Sequence, residues 1–113
     1  MNIFDILGPV MVGPSSSHTA GVVRIGNVVS GIIQEYPKEI KVYFHGSFAK
    51  TYKGHGSDKA IIGGILGFKA DDLRIKDSLL IAEEKGIVFS FNPIELYGVH
   101  PNTLIVREKA VNR

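Results

Sequence analysis

Two hydrophobic periodicities alternate along this chain, and their order restricts its fold more than any other feature. Val22, Ile25, Val29, Ile32 and Ile33 recur at i, i+3, i+7, i+10 and i+11, one face of a 3.6-residue helix, and Ser15, Ser16 and Ser17 ahead of them offer N-cap hydroxyls. That helix is expected to end near Tyr36-Pro37. Ile40, Val42 and Phe44 then alternate with Lys41, Tyr43 and His45, the period of a strand with one buried face, closed by Gly46. From Ser47 to Phe68 the pattern is helical but broken at Gly54-His55-Gly56, where Ser57 can cap a fresh helix carrying Ile61, Ile62, Ile65 and Leu66. Gly63, Gly64 and Gly67 each weaken that helix by about 1 kcal/mol against Ala, so tight packing against a neighbour is expected to compensate. Asp71-Asp72 begins a linker and helix in which Ile75, Leu79 and Ala82 share a face, with Gly86 as its stop. Two strands follow, Ile87, Phe89 and Phe91 alternating with Val88, Ser90 and Asn92, then Leu104 and Val106 alternating with Thr103 and Arg107 after a turn-rich Pro93 to Pro101 stretch. At the start, Ile3 to Leu7 is an apolar run ended by Gly8-Pro9, and Gly13-Pro14 marks a second turn, so this part is strand or irregular chain. Strands at both ends with helices grouped between them predict an α+β fold of two layers, a small mixed sheet with helices on one face.

At 113 residues the chain is sized for one domain, residues 1–113, with a real but modest core. It contains no Cys, which excludes a disulfide framework, a Cys nucleophile and any thiolate-held zinc or iron-sulfur site within this chain. Thirteen basic against eleven acidic residues leave a formal charge of +2, too balanced for an electrostatic nucleic-acid or membrane binder. Its apolar runs are far shorter than the ~20 residues of a membrane span, and Met1-Asn2-Ile3-Phe4-Asp5 lacks the basic stretch of a secretory signal, so a cytoplasmic protein is expected.

Three of the four histidines stand among Gly, Pro and hydroxyl residues. In Gly13-Pro14-Ser15-Ser16-Ser17-His18-Thr19-Ala20-Gly21 a run of hydroxyls enters a helix whose first N–H groups lack intrahelical partners, a place where a small carboxylate or phosphate binds. A single Ser there would merely cap the helix, whereas three followed by His and Thr exceed that need. The second cluster, Gly46 to Asp58, contains Lys50, Thr51, Tyr52, Lys53, Gly54, His55, Ser57 and Asp58. It is not a nucleotide phosphate loop, because the glycines of that motif would fall on Phe44 and Ala49. Glycines on each side of His55 let the backbone approach a ligand, and Asp58 can orient the imidazole or cap the helix. Tyr52, Lys50 and Lys53 are acid-base or carboxylate-binding candidates, although an exposed helical face holds the same residue types. The third cluster is His100-Pro101-Asn102-Thr103, where Asn102 can donate to a carboxylate or simply make an Asx turn. Separations of 37 and 45 residues between His18, His55 and His100 match no local metal-ligand spacing, and no metal site is expected in this chain. His45, at a strand end, reads as structural.

The run Phe4-Asp5-Ile6-Leu7-Gly8-Pro9-Val10-Met11-Val12-Gly13-Pro14-Ser15-Ser16-Ser17-His18-Thr19-Ala20-Gly21 closely resembles the start of the beta chain of the iron-sulfur-dependent L-serine dehydratases. The resemblance continues through Gly46 to Asp58 and His100 to Thr103, nearly the whole chain in order. The family usually reads His-Gly-Thr-Asp where this chain has His55-Gly56-Ser57-Asp58, a change that keeps the hydroxyl. The resemblance implies an L-serine ammonia-lyase of amino-acid catabolism and gluconeogenesis: L-serine loses water, and the enamine hydrolyses to pyruvate and ammonia without pyridoxal phosphate. It implies a [4Fe-4S] cluster held by cysteines of a partner alpha chain and acting as Lewis acid on the serine hydroxyl, with none bound by this chain and no activity without the partner. It also implies a fold similar to the allosteric substrate-binding domain of D-3-phosphoglycerate dehydrogenases. In this family an ACT-type regulatory domain usually follows, and none is expected within residues 1–113.

On that basis His18, His55 and Tyr52 are the catalytic candidates. Ser15, Ser16, Ser17, Thr19, Lys50, Lys53, Gly54, Ser57, Asp58, His100, Asn102 and Thr103 are the substrate-binding candidates. The expected partners are the alpha chain and L-serine, with no nucleic acid and no membrane; homo-oligomerisation stays open. The alternative is a non-catalytic, small-carboxylate-binding regulatory module of the same fold.

Overall fold

The computed structural model describes residues 10–14, 19–33, 37–46, 49, 56–95, 97–98 and 103–109. The chain runs β1 (Val10–Pro14), α1 (Thr19–Ile33), β2 (Glu39–His45), α2 (Ser57–Ile65), a 3₁₀ turn (Leu73–Asp77), α3 (Ser78–Glu84), β3 (Val88–Ile94) and β4 (Thr103–Lys109). The strands form one sheet in the order β1-β4-β2-β3. β4 is antiparallel to both β1 and β2, while β2 and β3 are parallel, which makes the sheet mixed and the class α+β, as the periodicities predict.

Alternation along the strands sets the layers. Ile40, Val42 and Phe44 on β2 and Leu104 and Val106 on β4 are fully buried, whereas Lys41 and Arg107 are exposed and Tyr43 and Ile105 half-exposed on the other face. Among the described residues the helices cover the first face. Val22, Val23 and Val29 from α1 and Ala60, Ile61, Ile62 and Ile65 from α2 complete the core. Phe44 stacks on Phe91 of β3 with ring centroids 6.1 Å apart and planes 26° apart, extending the core to the sheet edge.

The glycines of α2 are explained by its neighbours. A Cβ on Gly26 would lie 2.7 Å from both Gly64 Cα and the Ile61 carbonyl oxygen, and one on Gly64 would collide with the Val23 carbonyl oxygen. α1 and α2 therefore meet backbone to backbone. A Cβ on Gly63 would lie 2.6 Å from Ser78 Oγ at the start of α3. Gly67 differs from expectation: it lies beyond the helix with φ 95°, its N–H donating to the Gly64 oxygen (3.0 Å) while the Phe68 N–H reaches the Gly63 oxygen (2.9 Å). This pair of bonds is the usual left-handed helix stop. From α1, the Asn27 amide donates to the Gly64 and Phe68 carbonyls, both at 2.9 Å, supplying partners that the helix end lacks.

Several local expectations need correction. The buried stripe of α1 is Val22, Val23, Gly26 and Val29; Ile25 is half-buried and Ile32 is 53% exposed, because the glycine contact turns the helix toward α2. Gly13-Pro14 ends β1 rather than breaking it, and Pro93 and Ile94 belong to β3 rather than to a turn. β1 and β3 are the two edge strands, where a missing proline N–H can point away from the sheet. The expected helix through Ile75, Leu79 and Ala82 is split: Asp72 caps a 3₁₀ turn by accepting from the Arg74 N–H at 2.8 Å, and α3 starts only at Ser78. Gly86, with φ 78°, follows α3 as its stop. Residues Ile3 to Leu7 lie outside the described part.

Candidate functional site at one edge of the sheet

Register places the connections that carry the functional candidates. Pro14 at the end of β1 pairs with Thr103 at the start of β4, Phe44 pairs with Leu104, and His45 at the end of β2 pairs with Ile94 at the end of β3. These strand ends form one row across the sheet, three strand spacings or roughly 15 Å wide. Every segment singled out by its histidine leaves from or returns to this row. Residues 15–18 join β1 to α1, residues 46–56 join β2 to α2, and residues 95–102 join β3 to β4. Thr19 and Ser57 are the first residues of α1 and α2, so the connections leaving β1 and β2 at this row each run on into a helix N-terminus.

Ser15, Ser16, Ser17, His18, Lys50, Tyr52, Lys53, Gly54, His55, His100 and Asn102 lie outside the described residues, as does Thr51. Thr19 opens α1 and Thr103 opens β4. Ser57 is 2% exposed and is not the N-cap. That position belongs to Gly56, held at φ 74°, so α2 starts without a side-chain cap, and Ser57 is already helical. Left-handed backbone is open to glycine at little cost, which explains Gly56 next to His55. Asp58 Oδ1 accepts from the Lys59 N–H at 2.8 Å, a local contact in the first turn of α2, where a carboxylate also favours the helix dipole. His45 is buried at the end of β2, in the same row.

The connections that leave this row carry hydroxyl residues and histidines in their sequence, and the chain has no thiol anywhere. Such a donor set suits a small carboxylate and does not fit an iron-sulfur cluster, which needs thiolates. Among the described residues, no three His, Asp or Glu side chains come together in a way that could hold a metal ion.

Residues 2–86 match the family described as serine dehydratase beta chain. The chain belongs to that family. A protein of Bacillus subtilis named as a probable L-serine dehydratase beta chain is 57% identical over 102 residues, covering 90% of this chain and 46% of its own. The L-serine dehydratase beta chain of Peptoniphilus asaccharolyticus is 48% identical over 102 residues, with 89% and 46% covered. An L-serine dehydratase of Helicobacter pylori strain J99 is 37% identical over 89 residues, 74% of this chain and 20% of that protein. The beta chain thus spans about half the length of the first two relatives. Among its described residues no helix is long and apolar enough to cross a membrane.

One chemically notable side chain is absent from the candidates drawn from sequence. Glu108, near the end of β4, is 1% exposed and neither carboxylate oxygen has a hydrogen-bond partner. Burial pushes its carboxyl up from 4.5 to about 7. The signal was present in the alternation itself, since continuing Leu104 and Val106 by two residues puts position 108 on the core face.

Proposed function

We propose that this beta chain supplies the substrate-binding edge of a two-chain L-serine dehydratase, and that its alpha partner carries the [4Fe-4S] cluster. The observation that supports this is the row Pro14, Thr103, His45 and Ile94, from which all three histidine-bearing connections depart in a chain of this family. The reaction is removal of water from L-serine followed by hydrolysis of the enamine to pyruvate and ammonia. This chain's share is recognition and proton handling. The serine carboxylate is held by hydroxyls and N–H groups around Ser15, Ser16, Ser17 and Thr19, together with Asn102 and Thr103 of the neighbouring connection, since Thr103 pairs with Pro14. Lys50, Lys53, Gly54, Ser57, Asp58 and His100 shape the rest of the pocket. His18, His55 and Tyr52 are the groups able to hold or move a proton beside the substrate. The cluster supplies Lewis acidity when the partner is bound.

Co-expression with the alpha chain followed by a pyruvate assay tests this reading. The pair is expected to form pyruvate from L-serine and the beta chain alone to form none. Turnover by the isolated chain would refute the division of labour. Serine binding by this chain with no turnover in a cluster-loaded pair would leave a regulatory module instead.

A further inference from the structure

Glu108 stands where the fold expects an apolar residue. It follows Leu104 and Val106 on the buried face of β4 and lies opposite Ile40 on β2, and all three are fully buried. Neither oxygen meets a donor. No described charge offsets it. Glu39 and Lys41 flank Ile40 at alternate positions of β2, and Arg107 is exposed on the outer face. In the helix layer, α1 carries only Arg24, which is exposed; α2 carries Asp58 and Lys59 at its far end; α3 carries Glu83 and Glu84, both exposed. β3 contributes Val88 and Phe89 at this level of the sheet.

An acid in such a place is tolerable while it keeps its proton and costly once ionised, because the anion loses water and gains no partner. Glu108 lies one residue before the end of β4 at Lys109, so fraying of that strand end opens a route to water. That route undoes the pairing of Arg107–Lys109 with Glu39–Lys41 and of Arg107 with Val10. Among the described strands β1 pairs with β4 alone, so its first residues are released with it. We propose that the proton on Glu108 fastens the end of β4 into the sheet, making the β1–β4 pair a latch that loosens as the pH rises. The upward push on this carboxyl to about 7 agrees with a latch that works near neutrality. Because the folded state holds the proton more tightly than the unfolded chain, stability falls as pH climbs from 4.5 to about 7 and levels off above.

The test is amide hydrogen exchange on the full chain at pH 5.5 and pH 8, expressed as protection factors so that the intrinsic pH dependence cancels. Protection over 107–109 and 39–41 is expected to fall about thirtyfold between the two conditions, while that of Phe44 and Leu104 falls less. In Glu108→Gln the fall should vanish. Glu108→Leu, which fills the same position with carbon, should protect these segments equally at both pH values and unfold later than the wild type at pH 8. Carbon-13 titration of the wild-type Glu108 carboxyl should give a midpoint near 7. A midpoint near 4.5, or the same loss of protection in both variants, would overturn the proposal.

Discussion

The two ends of the sheet are built by different rules. At the end carrying the row Pro14, Thr103, His45 and Ile94, residues 46–56 and 95–102 are spent on long connections rich in Gly, His and hydroxyls. At the opposite end α3 passes to β3 through residues 85–87 alone, and α2 stops against Asn27 with its last carbonyls paired. Where polar groups are few, each is used to close structure. Where they are abundant, binding is the use proposed for them.

The sharpest way to break that division is at the closed end. Gly64→Val should drive a side chain into the Val23 carbonyl and Gly26, costing about 3 kcal/mol or more and leaving little folded protein, as circular dichroism melting would report. At the open end His18→Ala should leave the melting curve alone yet lower turnover of the reconstituted, cluster-loaded pair about a hundredfold. Asn102→Ala should behave the same way, and unchanged kinetics at full cluster content would remove both residues from the site. Asn27→Ala withdraws two hydrogen bonds from the end of α2 and should cost about 1 to 2 kcal/mol in urea unfolding without altering the KM of the pair. The smallest effect belongs to Arg74→Ala. Its guanidinium bonds Asp72 at 2.7 Å and lies 4.2 Å from the Phe68 ring centroid, but it is largely exposed, so the melting midpoint should move by less than about 3 °C. The side-chain hydrogen bond from Arg74 holds the Asp72 carboxyl below its ordinary range, so any contribution fades only as the pH falls into the acid limb.

Strand alternation carried most of the fold. Ile40, Val42 and Phe44, and Leu104 and Val106, face inward as their period requires, and the glycines of α2 announced a close neighbour. What sequence could not convey was which neighbour. Gly26 and Gly64 meet because two helices cross there, a fact invisible to either periodicity, and it is this crossing that buries Val23 and leaves Ile32 in solvent. Pro93 misled for a related reason: proline reads as a turn until the strand is known to be an edge. At the site, the residue types were legible, and topology adds that their connections share one edge. Glu108 escaped notice because its chemical type and its position in the alternation point in opposite directions.

The backbone contact between Gly26 and Gly64 has a consequence for recognition. With Asn27 tying α1 to the end of α2, the two helices move as one body, and the distance between their N-termini is set before any ligand arrives. A ligand resting on both would pay no conformational entropy for bringing them together. Affinity for such a ligand should therefore respond to substitutions at Gly26, Asn27 or Gly64 that change how the two helices cross.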